Sequence, residues 1–144
     1  MAEGGFPAEI ATFPEGTRTA ADAAAAIGCT VAQIAKSLVF RAGGSDRAVL
    51  VVASGVNRVD EARIAAALGA AIGRADAAFV REATGYAIGG VPPLAHARPP
   101  VAFVDADLAR QDPIWAAAGT PHAVFRTSFA DLVRMTGGRV IAVA

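Results

Sequence analysis

Lys36 is the one lysine of this chain; the other twelve of its thirteen basic side chains are arginine. Generic positive charge is therefore written as Arg. A guanidinium is a planar fork that stays charged, whereas an ammonium is a compact point charge on a flexible stem. A lone lysine reads either as a leftover surface position or as a site that a guanidinium will not fit. The second segment with chemical promise is TGYAIGGVPP, residues 84–93. Adjacent Gly89 and Gly90 let a backbone approach a ligand closely and adopt positive φ. Pro92 and Pro93 stiffen the end of the loop and remove two N–H groups. The N–H groups of Gly89, Gly90 and Val91 are left to converge on an oxygen, as in an anion nest or oxyanion hole. An ordinary rigid turn is the competing reading.

Other reactive side chains are few. His122, in AGTPHAVF, stands where a loop enters a strand and either lines a pocket or caps the strand. Cys29 with His122 as base would make a thiol hydrolase for a small ester. The alanine-rich surroundings of Cys29 favour a small buried hydrophobe instead. His96 comes after a Pro-rich loop and reads as a surface residue. Neither GxxxxGK[ST] nor GxGxxG occurs, so nothing points to a nucleotide cofactor. Two His and one Cys without ligand spacing argue against zinc. There is no GxSxG, and Ser54-Gly55 reads as a strand-end turn. No metal and no cofactor are expected.

Length and composition bound the rest. With 144 residues the chain is expected to form one domain, 1–144, with an irregular start over 1–16. A single cysteine excludes an internal disulfide, and cytoplasmic residence is the default expectation. The first twenty residues carry acids where a signal peptide would be basic. No uncharged apolar run is long enough to suggest a membrane span. Thirteen basic and thirteen acidic residues cancel. DNA is therefore not an expected partner, and any RNA contact must come from a local patch.

The positioning elements come from periodicity and punctuation. Thr19 with Asp22 caps a helix ahead of Gly28. A helical turn over VAQIA leads into a strand, KSLVFRA. GGSD turns it into RAVLVVA, a strand apolar enough to be buried on both faces. Asn57 and Asp60 open a helix stopped by Gly69, and Asp76 caps another that ends near Gly85. PPVAFVDADL gives a strand and a turn. PIWAAAG reads as a short helix with proline near its start, and HAVFRT reads as a strand. Ser128 with Asp131 caps a helix whose Phe129, Leu132, Val133 and Thr136 share a face. RVIAVA closes the chain as a strand. Without strict βαβ alternation, a mixed sheet or barrel is favoured over a doubly wound fold.

Four segments, IGCTVAQIAKSLVF, VNRVDEARIAAALG, TGYAIGGVPPLAH and AGTPHAVFRTSFADLVRMTGGRVIAV, occur in that order. Together they resemble the YbaK family, also called the prolyl-tRNA-synthetase-associated editing domain, from about Thr19 to the C-terminus. The resemblance implies a single compact α/β domain, a mixed barrel-like sheet surrounded by short helices. It implies a hydrolase that cleaves the ester joining a wrong amino acid to tRNA, usually proline tRNA, and association with prolyl-tRNA synthetase. The family's lysine falls on Lys36, its GxxxP loop on Gly89 and Pro93 with Gly90 and Val91 inside, and its later small-residue loop near Gly119 and Thr120. Ser37 and His122 join Pro93, Gly119 and Thr120 as implied substrate contacts. Ser37 stands where alanine-specific relatives carry Asn, so the amino acid removed stays open among Ala, Ser, Thr, Cys and 2-aminobutyrate. A non-catalytic module of the same fold that recruits tRNA or a synthetase is the alternative.

Overall fold

The structure is a computed structural model. It describes residues 9–12 (backbone only), 19–43, 47–86, 91, 93, 100–117 and 123–144. Its centre is the strand β3, Ala48–Ser54, in which every residue is buried. Along it Val49, Val51 and Ala53 enter one apolar cluster, while Leu50 and Val52 enter another. This is the two-residue alternation of a strand whose two faces are both covered. One cluster is closed by Leu132, the other by Ile64. These belong to the helices α4, Phe129–Thr136, and α2, Glu61–Leu68.

Among the described residues, eight strands share one mixed sheet. β3 pairs antiparallel with β2, Ile34–Ala42, and parallel with β5, Val101–Asp105. β5 continues, parallel, to β8, Arg139–Ile141. On the other side β2 meets β6, Ile114–Ala117, in parallel. β6 then pairs antiparallel with β7, Ala123–Thr127, which carries β1, Glu9–Thr12, at its edge. A short strand β4, Ile72–Arg74, joins the far end of β2. The mixed sheet expected from the sequence is therefore present.

The helix signals act as expected. Thr19 accepts from the Asp22 N–H to open α1, Ala20–Ile27. Asp60 and Asp76 open α2 and α3, Ala77–Thr84, and Ser128 opens α4. Each helix ends on a left-handed glycine, a conformation that costs glycine little because it has no Cβ.

Three expectations need correction. PIWAAAG is not a helix: Ile114–Ala117 is β6, lying between β2 and β7. Burial alternates along it, with Ile114 and Ala116 inside, so pairing on both edges overrides the helical bias of alanine. Residues 9–12, expected to be irregular, form β1 against β7. Asn57 opens no helix; its side-chain amide is bonded to Asp105 and Asp107 instead. The expected GGSD turn lies mostly in residues 44–46, outside the described residues.

Leu132 is fully buried on α4. Leu132→Ala should destabilise the protein by about 2–5 kcal/mol in urea unfolding, the cost of the lost apolar contact and the cavity left behind. A change under about 1 kcal/mol would contradict the packing described.

Candidate active site

β2 carries the site because one of its edges is left open. Its register with β3 runs from Ala35 to Arg41 without a break. On the other edge β6 covers only Ile34 and Ala35, and β4 only Phe40 to Ala42. Among the described residues, no strand covers the edge between them. The Gly55 N–H donates to Ile34 O at 2.8 Å and the Ala42 N–H to Arg47 O at 2.9 Å. These bonds fix the phase of the ladder: even-numbered residues of β2 face β3. The backbone N–H and C=O of Ser37 therefore turn to the open edge.

A cleft of about 510 Å³ opens there, lined by β2 from Ile34 to Leu38, by Ala20 and Ala23 of α1, and by Gly55, Val91 and Trp115. A smaller cavity of about 150 Å³ adjoins it and shares Ser37, Leu38 and Val91. Gly55 holds the cleft to its shape. A Cβ on it would lie 2.5 Å from Val31 O and 2.8 Å from the Ala20 Cβ. No side chain fits there without moving both the backbone at Val31 and the start of α1.

Lys36 lines this cleft, half-buried. Burial pushes its ammonium below the usual lysine range, and the negative charge of Asp105 opposes that shift. Asp105 ends β5 and is 1% exposed. Its Oδ2 accepts from the Ser54 N–H at 3.0 Å and from Asn57 Nδ2 at 2.8 Å. Its Oδ1 accepts from the Asp107 N–H at 2.9 Å. Asn57 Nδ2 also donates to Asp107 Oδ2 at 2.8 Å. One buried carboxylate thus ties the end of β3, the loop after it and the turn after β5 to a single point near the lysine.

Of the residues singled out in the sequence, Lys36, Ser37 and Val91 line one cleft. Pro93 is buried and is not among the residues lining either cavity. Gly89, Gly90, Gly119, Thr120, His96 and His122 lie outside the described residues. Cys29 packs, half-buried, beside α1. Burial raises its thiol, which reduces the thiolate available for attack. Sequence reasoning missed Asp105, Asn57, Gly55 and Trp115. The signal for Asp105 was an acid closing the apolar run VAFVD; Trp115 was hidden by the mistaken helix. Among the described residues no three His, Cys, Asp or Glu side chains gather as metal ligands.

Comparison with known proteins fits this geometry. Residues 14–135 match the aminoacyl-tRNA editing domain family. A solved structure whose description reads "putative trans-editing enzyme for prolyl tRNA synthetase" superposes with a TM-score of 0.88 at 42% identity, over 94% of this chain and 85% of that one. The structure of hypothetical protein APE2540 superposes with a TM-score of 0.88 at 31% identity, over 96% of this chain and 92% of the other. The uncharacterized protein YwhH of Bacillus subtilis is 30% identical over 132 residues, which is 92% of this chain and 83% of that protein. The chain belongs to the aminoacyl-tRNA editing domain family. At the level of the family, its activity is the hydrolytic editing of aminoacyl-tRNA.

Gly55→Ala should destabilise the fold by about 1–3 kcal/mol in urea unfolding, through overpacking against Val31 and Ala20; a neutral effect would contradict the tight approach. The cleft also predicts a pH dependence. The Lys36 pKa is lower folded than unfolded, so between the two values the unfolded chain binds more protons and this group favours folding as pH rises. The ammonium itself is lost over the same rise. Editing that depends on the cation should therefore fall at alkaline pH with a midpoint below that of an ordinary lysine, while stability does not fall on account of Lys36. Background-corrected pH–rate and unfolding profiles check both signs.

Proposed function

We propose that this chain acts in trans to hydrolyse the ester between a wrongly attached small amino acid and tRNA, with proline tRNA as the substrate. The observation that carries the proposal is a half-buried ammonium on a cleft with an open strand edge, with Val91 of the Gly-rich segment on its wall. The solved relative described as a trans-editing enzyme for prolyl tRNA synthetase supports the choice of tRNA and makes prolyl-tRNA synthetase a fitting partner.

The chemistry needs little more. An aminoacyl ester is already activated, so positioning a water and stabilising the developing oxyanion suffice. The N–H groups of Gly89, Gly90 and Val91 are assigned to the carbonyl oxygen. Lys36 is assigned to a phosphate of the terminal nucleotide, where a rotatable point charge serves better than a fork. The ribose 2′-hydroxyl of the substrate is assigned to help orient the water. Ser37, Pro93, Gly119, Thr120 and His122 complete the proposed substrate contacts. The reading predicts no role for a metal, and it leaves Cys29 out of the chemistry.

A second reading, a non-catalytic module that recruits tRNA or a synthetase, is favoured by one observation: basic and acidic residues balance at thirteen each. One experiment separates them. Proline tRNA charged with Ala, Ser, Thr or Cys is incubated with the protein and ester loss is monitored. The proposed enzyme cleaves at least one of these, loses about 100-fold or more in Lys36→Ala, and keeps its rate in Cys29→Ala. Full activity in Lys36→Ala would sink the proposed site. Binding without hydrolysis of any ester would favour the recruitment module, and loss only in Cys29→Ala would revive the thiol mechanism.

A further inference from the structure

We propose that the cavity beside the cleft selects a hydroxyl-bearing amino acid, serine or threonine, and that Ser37 makes the selection. The inference rests on the editing function proposed above and names the substrate class of that same site.

Ser37 Oγ is buried and has no hydrogen-bond partner, the one such side-chain atom among the described residues. Buried polar atoms in folded proteins are almost always paired, and this fold pairs its other buried hydroxyls. Thr84 Oγ1 donates to Val80 O at 2.6 Å, and Ser54 Oγ donates to Ala32 O at 2.9 Å. Both use a carbonyl within reach. Ser37 Oγ makes no such bond, and the other described side chains lining its cavity, Leu38, Val39, Phe40, Ala75, Val80 and Val91, have no polar group to offer. Ser37 is the only polar side chain among the described residues lining that cavity.

Its position is as telling as its lack of a partner. Ser37 lines both the cleft and the smaller cavity. A substrate whose ester lies beside Lys36 and Val91 would project its amino-acid side chain past Ser37 into a cavity of about 150 Å³ whose other described lining side chains are apolar. A hydroxyl can both donate and accept, so a serine or threonine side chain completes the missing bond in either direction. The apolar walls then suit the methyl group of threonine. Alanine leaves Oγ unpaired, and 2-aminobutyrate sets a methyl group against it. A cysteine thiol is only a weak donor and acceptor. Proline, the amino acid that an editor of proline tRNA must spare, has no side-chain polar group to offer, so the same hydroxyl counts against the correct substrate.

The test compares kcat/KM for one tRNA charged in turn with Ser, Thr, Ala and 2-aminobutyrate, using the wild-type chain, Ser37→Ala and Ser37→Thr. The wild type should prefer Ser and Thr over Ala and 2-aminobutyrate by about tenfold or more, since a site that hydrogen-bonds a substrate hydroxyl discriminates against analogues lacking it. Ser37→Ala should collapse that ratio, and Ser37→Thr, which keeps the hydroxyl, should preserve it. Removing an unpaired buried hydroxyl leaves stability unchanged or raised, so the urea midpoint of Ser37→Ala should not fall. Equal wild-type rates on Ser and Ala would overturn the inference while leaving the editing function standing. So would an equal loss on all four esters in Ser37→Ala. Hydrolysis of none of the four by the wild type would contradict the editing function and the inference together.

Discussion

The site depends on one buried carboxylate. Asp105 is the only charged residue that is buried among the described residues, and a charge removed from water must be met by hydrogen bonds or an opposite charge. It is met three times: by the Ser54 N–H, the Asn57 amide and the Asp107 N–H. Those bonds join the end of β3 to the end of β5 and hold the loop that starts at Gly55. They also set a negative charge where it acts on Lys36. Without that charge only the cost of burial would act on the ammonium, favouring its neutral form. The cation proposed to hold substrate is thus partly shielded from the cost of its own burial by the charge of Asp105.

The second constraint is the uneven pairing of β2. A strand bonded along both edges offers nothing to a ligand, since its N–H and C=O groups are already used. β2 is fully paired with β3, but its other edge is shared between β6 at one end and β4 at the other. The interval between them puts Lys36 and Ser37 in an opening rather than in a continuous ladder. Gly55 and Trp115 shape its walls. Both faces of β3 are buried, in clusters closed by Leu132 of α4 and Ile64 of α2, so the opening is cut into a packed frame.

Local signals in the sequence survived folding and non-local ones did not. Thr19, Asp60, Asp76 and Ser128 cap their helices because a capping bond spans only two or three residues. Lys36 was conspicuous by composition alone; the family resemblance added Gly89, Gly90 and Val91 as expected site residues, and of these Val91 lines the same cleft. β6 and β4 were illegible because partners distant in sequence define them. Ile114–Ala117 holds two alanines after a proline, a helical local signal, yet lies between two strands. Ile72–Arg74 is three residues long and has a register only against β2. Asn57 looked like a helix opener; its amide instead bridges Asp105 and Asp107 across 48 and 50 residues of chain. Asp105 itself looked like part of a turn. A buried polar network is assembled by tertiary structure; the acid that closes VAFVD was a local hint of Asp105, but nothing local named its partners.

That Lys36 is the only lysine makes the central claim open to direct measurement. Growth on ζ-15N-lysine labels one side-chain nitrogen in the chain, so its NMR titration needs no assignment. The protein is titrated alone and with a non-hydrolysable amide analogue, 3′-aminoacylamino-3′-deoxyadenosine 5′-phosphate. The account predicts a single ammonium that titrates below the ordinary lysine range in the free protein, as burial requires. On binding the analogue it should shift to higher pKa, as a phosphate beside it favours the charged form. A nitrogen that titrates as an ordinary exposed lysine, and does not respond while the analogue binds, would contradict the account.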